Sequence, residues 1–102
     1  MARATNEEIQ AAILKIRPNF YAGICGDPED KDDQWLAVAV NEQGGRLEGS
    51  CDIVFDGNKV KIEFDGATEK TLKSRQDADV VAAQIVEFIE NLEAKLAEFY
   101  DS

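Results

Sequence analysis

The sequence predicts an α+β fold in which an antiparallel sheet is combined with a helix at each end of the chain. Apolar residues recur at steps of three and four near both ends of the 102-residue chain, which is typical of amphipathic helices. The middle of the chain alternates apolar and polar residues, which is typical of half-buried strands. A chain of this length buries enough surface for one core, so we expect a single domain over residues 1–102.

The first helix is predicted over residues 6–17. Thr5 and Glu8 have the spacing of a capping box, in which each side chain accepts a hydrogen bond from the other residue's backbone N–H. Apolar residues follow at helical spacing, namely Ile9, Ala12, Ile13 and Ile16. Pro18 ends the helix, because the residue before a proline is disfavoured in the α region.

Four strands are predicted next, in a meander of element order α-β-β-β-β-α with both helices packed on one face. The strands cover residues 20–25, 34–41, 46–55 and 60–64, and a polar loop with five carboxylates covers residues 26–33. If the first strand is irregular, the remaining order α-β-β-β-α resembles that of double-stranded RNA-binding domains. That resemblance extends to element order alone, because the second helix is acidic where such domains use a basic helix end.

The third and fourth strands are predicted to form a hairpin around Gly57-Asn58. This turn places Phe55 opposite Val60 and Ile53 opposite Ile62, so the apolar residues of both strands share one side. The turn and the apolar pattern therefore specify the same register.

Pairing of Val40 with Leu47 defines the expected faces of the second strand. Leu36, Val38 and Val40 then point to the core, whereas Trp35, Ala37 and Ala39 point to the opposite side of the sheet. A tryptophan beside small apolar residues on an open sheet face is typical of an interaction patch. A register that differs by one residue would instead place Trp35 in the core.

The second helix is predicted to run for about 24 residues after Ser74 or Asp77 as N-cap. Its apolar stripe consists of Val81, Ile85, Phe88, Leu92, Leu96 and Phe99. Its opposite side carries Glu87, Glu90 and Glu98 at intervals comparable in scale to phosphate spacing.

The charge is concentrated in two segments. The chain has a net charge of −10, of which residues 19–33 contribute −4 and residues 76–102 contribute −6. Such a chain is not expected to bind nucleic acid or anionic lipid directly, since both require a basic face. The sequence has no signal peptide and no membrane span, so we expect a cytoplasmic protein. Cys25 and Cys51 are expected to be structural thiols rather than a disulfide.

No catalytic, cofactor or metal site is predicted, and we do not expect an enzyme. The chain has no histidine, so the commonest general base and metal ligand is missing. The loop that starts at Asp27 fails as an EF-hand at Lys31, Asp32 and Val38. Gly44-Gly45 precedes a strand rather than a helix, so it does not form a phosphate-binding loop.

The acidic segments predict a binding protein that occupies a basic, nucleic-acid-binding surface of a protein partner, as a nucleic-acid mimic does. In size, charge and architecture the chain resembles small acidic phage proteins that inhibit bacterial defence nucleases, including anti-CRISPR proteins. The predicted partner-binding residues are Asp30, Asp32, Asp33, Trp35, Glu87, Glu90 and Glu98.

Two alternatives remain open. The first is a dimeric secretion chaperone or immunity-type binding protein, whose acidity serves solubility and client contact. The second is that the acidic loop and helix face are only solvated surface, as most charge runs are.

Overall fold

A computed structural model describes residues 4–41, 51–64 and 66–101. The fold is α+β, and its elements are α1 (Asn6–Ile16), β1 (Tyr21–Gly26), β2 (Gln34–Ala39), β3 (Cys51–Asp56), β4 (Lys59–Phe64), β5 (Ala67–Leu72) and α2 (Ala78–Asp101). A single 3₁₀ turn, Lys31–Asp33, lies between β1 and β2. The predicted fold class is therefore confirmed.

Within the described residues the sheet has five strands rather than the predicted four. The strands follow one another in the order β1-β2-β3-β4-β5, and each pairs antiparallel with its neighbour. The strand that the prediction missed is β5, whose residues are all exposed except Leu72. The first strand is regular, so the element order is not that of a double-stranded RNA-binding domain.

The β3–β4 hairpin has the predicted register. Phe55 lies opposite Val60, and Ile53 lies opposite Ile62. Gly57 has a φ of 60°, a left-handed conformation that glycine adopts without a steric penalty.

The register between β2 and β3 differs from the predicted one by two residues. Val38 lies opposite Cys51, whereas pairing of Val40 with Leu47 would place Leu36 there. A shift of two residues leaves every side chain on its predicted face, because side chains alternate with a period of two. The predicted first half of the third strand, residues 46–50, lies outside the described residues.

One hydrophobic cluster contains residues of both helices and of the sheet. Its residues in β2, β3 and β4 share one side of the sheet, which we call the core face. The fully buried residues of the core face include Leu36, Val38, Cys51, Ile53, Val60 and Ile62. The helices contribute Ile9 and Ile13 from α1, and Val81, Ile85 and Ile89 from α2. Burial of these branched apolar side chains supplies the main favourable term in folding.

The helix ends follow the local signals in the sequence. Thr5 and Glu8 form both hydrogen bonds of the capping box, and α1 ends at Ile16, one residue before the predicted end. In α2 the N-cap is Asp77, whose Oδ1 accepts from the backbone N–H of Asp79 at 3.0 Å.

Candidate protein-binding face

The side of the sheet opposite the core face carries an exposed aromatic pair, and we call this side the outer face. Its residues in β1 and β2 are Tyr21, Gly23, Cys25, Trp35, Ala37 and Ala39. Trp35 is 36% exposed and Tyr21 is 42% exposed. Of the two positions that the sequence left open for Trp35, the structure thus has the one on the outer face, outside the core cluster.

Small residues between the aromatic side chains make this part of the outer face a shallow apolar patch. Ala37 and Ala39 are buried, although neither belongs to the core cluster. The ring of Tyr21 lies across Gly23, since a Cβ atom there would lie 2.5 Å from the Tyr21 hydroxyl oxygen. The patch therefore presents aromatic rings on a surface of backbone and methyl groups, which favours contact with an apolar or planar group.

The neighbouring part of the outer face is acidic. Asp52 lies opposite Ala37 on one side and opposite Glu63 on the other. Burial and the negative charge of Glu63 raise the pKa of Asp52. Lys61, the nearby cation, forms its ion pair with Asp56 at 3.4 Å. Two like charges thus face each other across β3 and β4, beside the aromatic patch.

The acidic loop, residues 27–33, adjoins the aromatic patch at one end of β1 and β2. Gly26 and Gln34 are paired where the two strands meet the loop, and Trp35 follows directly. Asp30 accepts from the Asp32 N–H at 3.1 Å and so caps the 3₁₀ turn. Asp32 and Asp33 are exposed. The structure therefore brings together four of the predicted residues, namely Asp30, Asp32, Asp33 and Trp35.

A chain of side-chain hydrogen bonds fixes the base of this loop. Asn6, which is 4% exposed, donates to Gln34 Oε1 at 2.9 Å and accepts from Arg75 at 3.3 Å. Gln34 in turn donates to the carbonyl oxygen of Asp27 at 2.9 Å. Sequence reasoning missed this network, because a polar residue in the first turn of a helix is ordinary.

The α2 carboxylates do not join this surface. Glu90 accepts from Arg17 at 3.0 and 3.2 Å, so its charge is paired within the chain. This hydrogen bond and the charge of Glu90 raise the pKa of Arg17. Glu87 and Glu98 are exposed, and they lie roughly 14 and 30 Å along the helix from Ala78 at 1.5 Å per residue.

The start of α2 lies near the base of the acidic loop, since Asn6 contacts both Gln34 and Arg75. Glu87 and Glu98 are therefore separated from the loop by increasing lengths of helix. The predicted acidic residues form two distinct groups rather than one continuous surface.

The two cysteines are free thiols in different environments. Cys51 is fully buried on the core face, and burial, Asp52 and Glu69 raise its pKa to about 11. Cys25 is partly buried on the outer face, opposite Trp35.

Within the described part of the chain, no group of three or more Cys, Asp or Glu side chains is placed to hold a metal ion. None of the described helices is long and apolar enough to cross a membrane.

Comparison of the chain with protein-family models, with curated proteins and with solved structures gives no match.

Proposed function

We propose that this chain is a cytoplasmic protein-binding inhibitor or adaptor that occupies a basic, nucleic-acid-binding surface of another protein. The observation that carries the proposal is the position of Trp35, which is exposed where the acidic loop meets the outer face. A large aromatic side chain flanked by carboxylates suits a surface that binds bases and phosphates.

The aromatic and acidic groups have different parts in this proposal. Trp35 and Tyr21 supply contact area with little loss of side-chain entropy, as aromatic residues at interface centres do. The carboxylates of the surface complement lysines and arginines of the partner, and they include Asp32, Asp33 and Asp52. Attraction of this kind accelerates association, and it weakens as ionic strength rises.

The carboxylates of α2 contribute less in this arrangement. Glu90 is engaged by Arg17, and Glu87 and Glu98 lie along the helix away from the loop. They add to the negative field that steers a basic partner without forming part of the contact.

A self-associating binding protein is the second candidate, because the same exposed pair of Tyr21 and Trp35 suits a dimer interface. Such a dimer would bring together two chains of net charge −10, and the outer face of each carries the acidic pair Asp52 and Glu63. This repulsion disfavours the dimer relative to a basic partner. Light scattering tests it, since a mass of two chains would support the dimer and a mass of one chain would exclude it.

The test of the main proposal is capture of partners from a bacterial extract at low salt, followed by displacement with duplex DNA. We expect the captured proteins to be basic and to be released by the DNA and by raised salt, because the chain and the DNA compete for one surface. Captured proteins that DNA does not release would contradict the proposal.

Two charge-matched variants locate the contact. In the loop variant, Asp32→Asn and Asp33→Asn remove two exposed charges and leave the capping carboxylate of Asp30 intact. In the helix variant, Glu87→Gln and Glu98→Gln remove two exposed charges from α2. We expect the loop variant to lose about ten-fold in affinity and the helix variant about two-fold. The reverse order would assign the contact to α2.

A further inference from the structure

A groove lies between the edge strand β5 and the first turns of α2, at the edge of the sheet opposite β1. Its volume is about 460 Å³, within the range of ligand-binding pockets. Residues that line it include Lys70, Leu72, Lys73, Val80, Val81 and Gln84. It shares no residue with the acidic loop or the aromatic patch.

One wall of the groove is apolar and exposed to solvent. Val80 is 53% exposed, more than either Tyr21 or Trp35. Beside it, Val81 and Leu72 are buried at 2% and 5% exposure, so the wall continues directly into the core. An apolar side chain placed against Val80 would remove this surface from water.

One rim of the groove is an open sheet edge. Within the described residues β5 pairs only with β4, so the outer edge of β5 faces no other strand. The irregularity in the pairing lies at Ile62 and Glu63, whereas Lys70, Thr71 and Leu72 remain in regular register with β4. The half of β5 beside the groove therefore retains the geometry on which a further strand pairs.

The side chains that line the groove have a net positive charge, from two lysines and one aspartate, whereas the chain as a whole has a net charge of −10. Lys70 and Lys73 line it, and neither forms an ion pair with the described residues. The carboxylate in the lining, Asp77, accepts from the N–H groups of Asp79 and Val80 as the α2 N-cap. At physiological salt, charges within about 8 Å of a ligand dominate over distant ones. The lysines therefore favour an anionic occupant.

We propose that this groove binds an extended, acidic segment of a partner protein. The segment pairs through its backbone with residues 70–72, places an apolar side chain against Val80, and places a carboxylate between Lys70 and Lys73. This site is separate from the surface that carries the proposed function, so the two can be tested independently.

The test is titration of the ¹⁵N-labelled protein with a blocked hexapeptide of alternating valine and glutamate, at physiological salt. We expect saturable shifts of the Lys70, Thr71, Leu72 and Val80 amides, with a Kd below ~1 mM. The same peptide with lysine in place of glutamate should bind at least ~10-fold more weakly.

Protein variants separate local from global charge. Lys70→Glu with Lys73→Glu should raise the Kd at least ~10-fold, and exposed Val80→Ser should raise it several-fold. The matched control, Lys15→Glu with Lys95→Glu, makes the same change of net charge at exposed positions outside the groove lining and should change the Kd less than ~two-fold. Unaltered amide spectra away from the substitutions report that the variants are folded.

Four outcomes would overturn the inference. They are absence of shifts at ~1 mM peptide, shifts confined to other parts of the protein, equal binding of the lysine peptide, and equal loss in the control variant.

Discussion

Asn6→Ala is the substitution whose cost follows most directly from the structure. Asn6 is 4% exposed, and it joins α1 to Gln34 and Arg75 through hydrogen bonds of 2.9 and 3.3 Å. Alanine removes both bonds and leaves Gln34 Oε1 without this donor. A neutral hydrogen bond contributes about 1 kcal/mol and one to a charged donor about 1.5 kcal/mol, so we expect a loss of about 2 to 3 kcal/mol. Helix propensity opposes this loss only weakly, because Asn6 is the first residue of α1.

The assay is urea unfolding followed by the fluorescence of the single tryptophan, together with a thermal melt. For a domain of this size the expected loss lowers Tm by about 10 °C or more. Asn91→Ala is the control, because Asn91 is exposed on α2 and its replacement should change stability by less than about 0.5 kcal/mol. Equal stability of the Asn6 and Asn91 variants would refute the assignment of a structural role to the network.

Three further predictions concern the glycines, Asp52 and the thiols. Gly26→Ala should lower the free energy of unfolding in urea by about 2 kcal/mol or more, because Gly26 has a φ of 99° and a Cβ atom there would meet the backbone of Asp33. Gly66→Ala is the control and should cost less, because Gly66 has a φ of 81° but a Cβ atom there would lie in open space. Because the pKa of Asp52 is raised, its ionisation on the folded protein opposes folding, so stability falls as pH rises above the ordinary carboxyl value near 3.8. Asp52→Asn should therefore raise the urea midpoint at about pH 7, and this gain should vanish at about pH 3; a gain at both would assign the effect to packing. With a disulfide-forming reagent the folded protein should show one reactive thiol, that of Cys25, and the unfolded protein should show two. The reason is that Cys51 is fully buried and its pKa is raised to about 11. Modification of Cys51 before unfolding would contradict its buried position.

The parts of the fold that the sequence predicts are those where two local signals agree. In the β3–β4 hairpin the turn at Gly57 and the alternation of apolar residues specify one register. The sequence left two positions open for Trp35, outward or in the core, and the structure has it outward. The expected β2–β3 register is wrong by two residues, but an error of two residues preserves the face of each side chain.

Sequence reasoning missed the strand β5 and the ion pair of Glu90. β5 shows no apolar alternation, since its residues are exposed except Leu72, and its strand geometry comes from pairing with β4. Glu90 lies with the acids on a helical projection, yet Arg17 at the end of α1 reaches it across the helix interface. The contact between Arg17 and Glu90 has no signature at short sequence separation. The β4–β5 hairpin does have one, because Asp65-Gly66 between Phe64 and Ala67 is a two-residue turn signal that the prediction did not use.

The site was predictable in part for the same reason. The acidic loop and Trp35 adjoin each other in sequence, so local reasoning placed them together. Strand alternation and the β3–β4 hairpin register also predict Asp52 and Glu63 on the face of Trp35, as the structure has them. The prediction nevertheless did not include this pair among the partner-binding residues, because the chain has 21 acidic residues and no local signal distinguishes these two.

The most direct test of the proposed binding face is the environment of Trp35 in a complex with a captured, DNA-displaceable partner. Incorporation of 5-fluorotryptophan gives one ¹⁹F resonance from this chain, because Trp35 is its single tryptophan. In the free protein, where Trp35 is 36% exposed, this resonance should respond to a paramagnetic co-solute. We expect the resonance to shift and to lose this response in the complex. A complex in which Trp35 keeps its free shift and its exposure to the co-solute would contradict the proposed binding face.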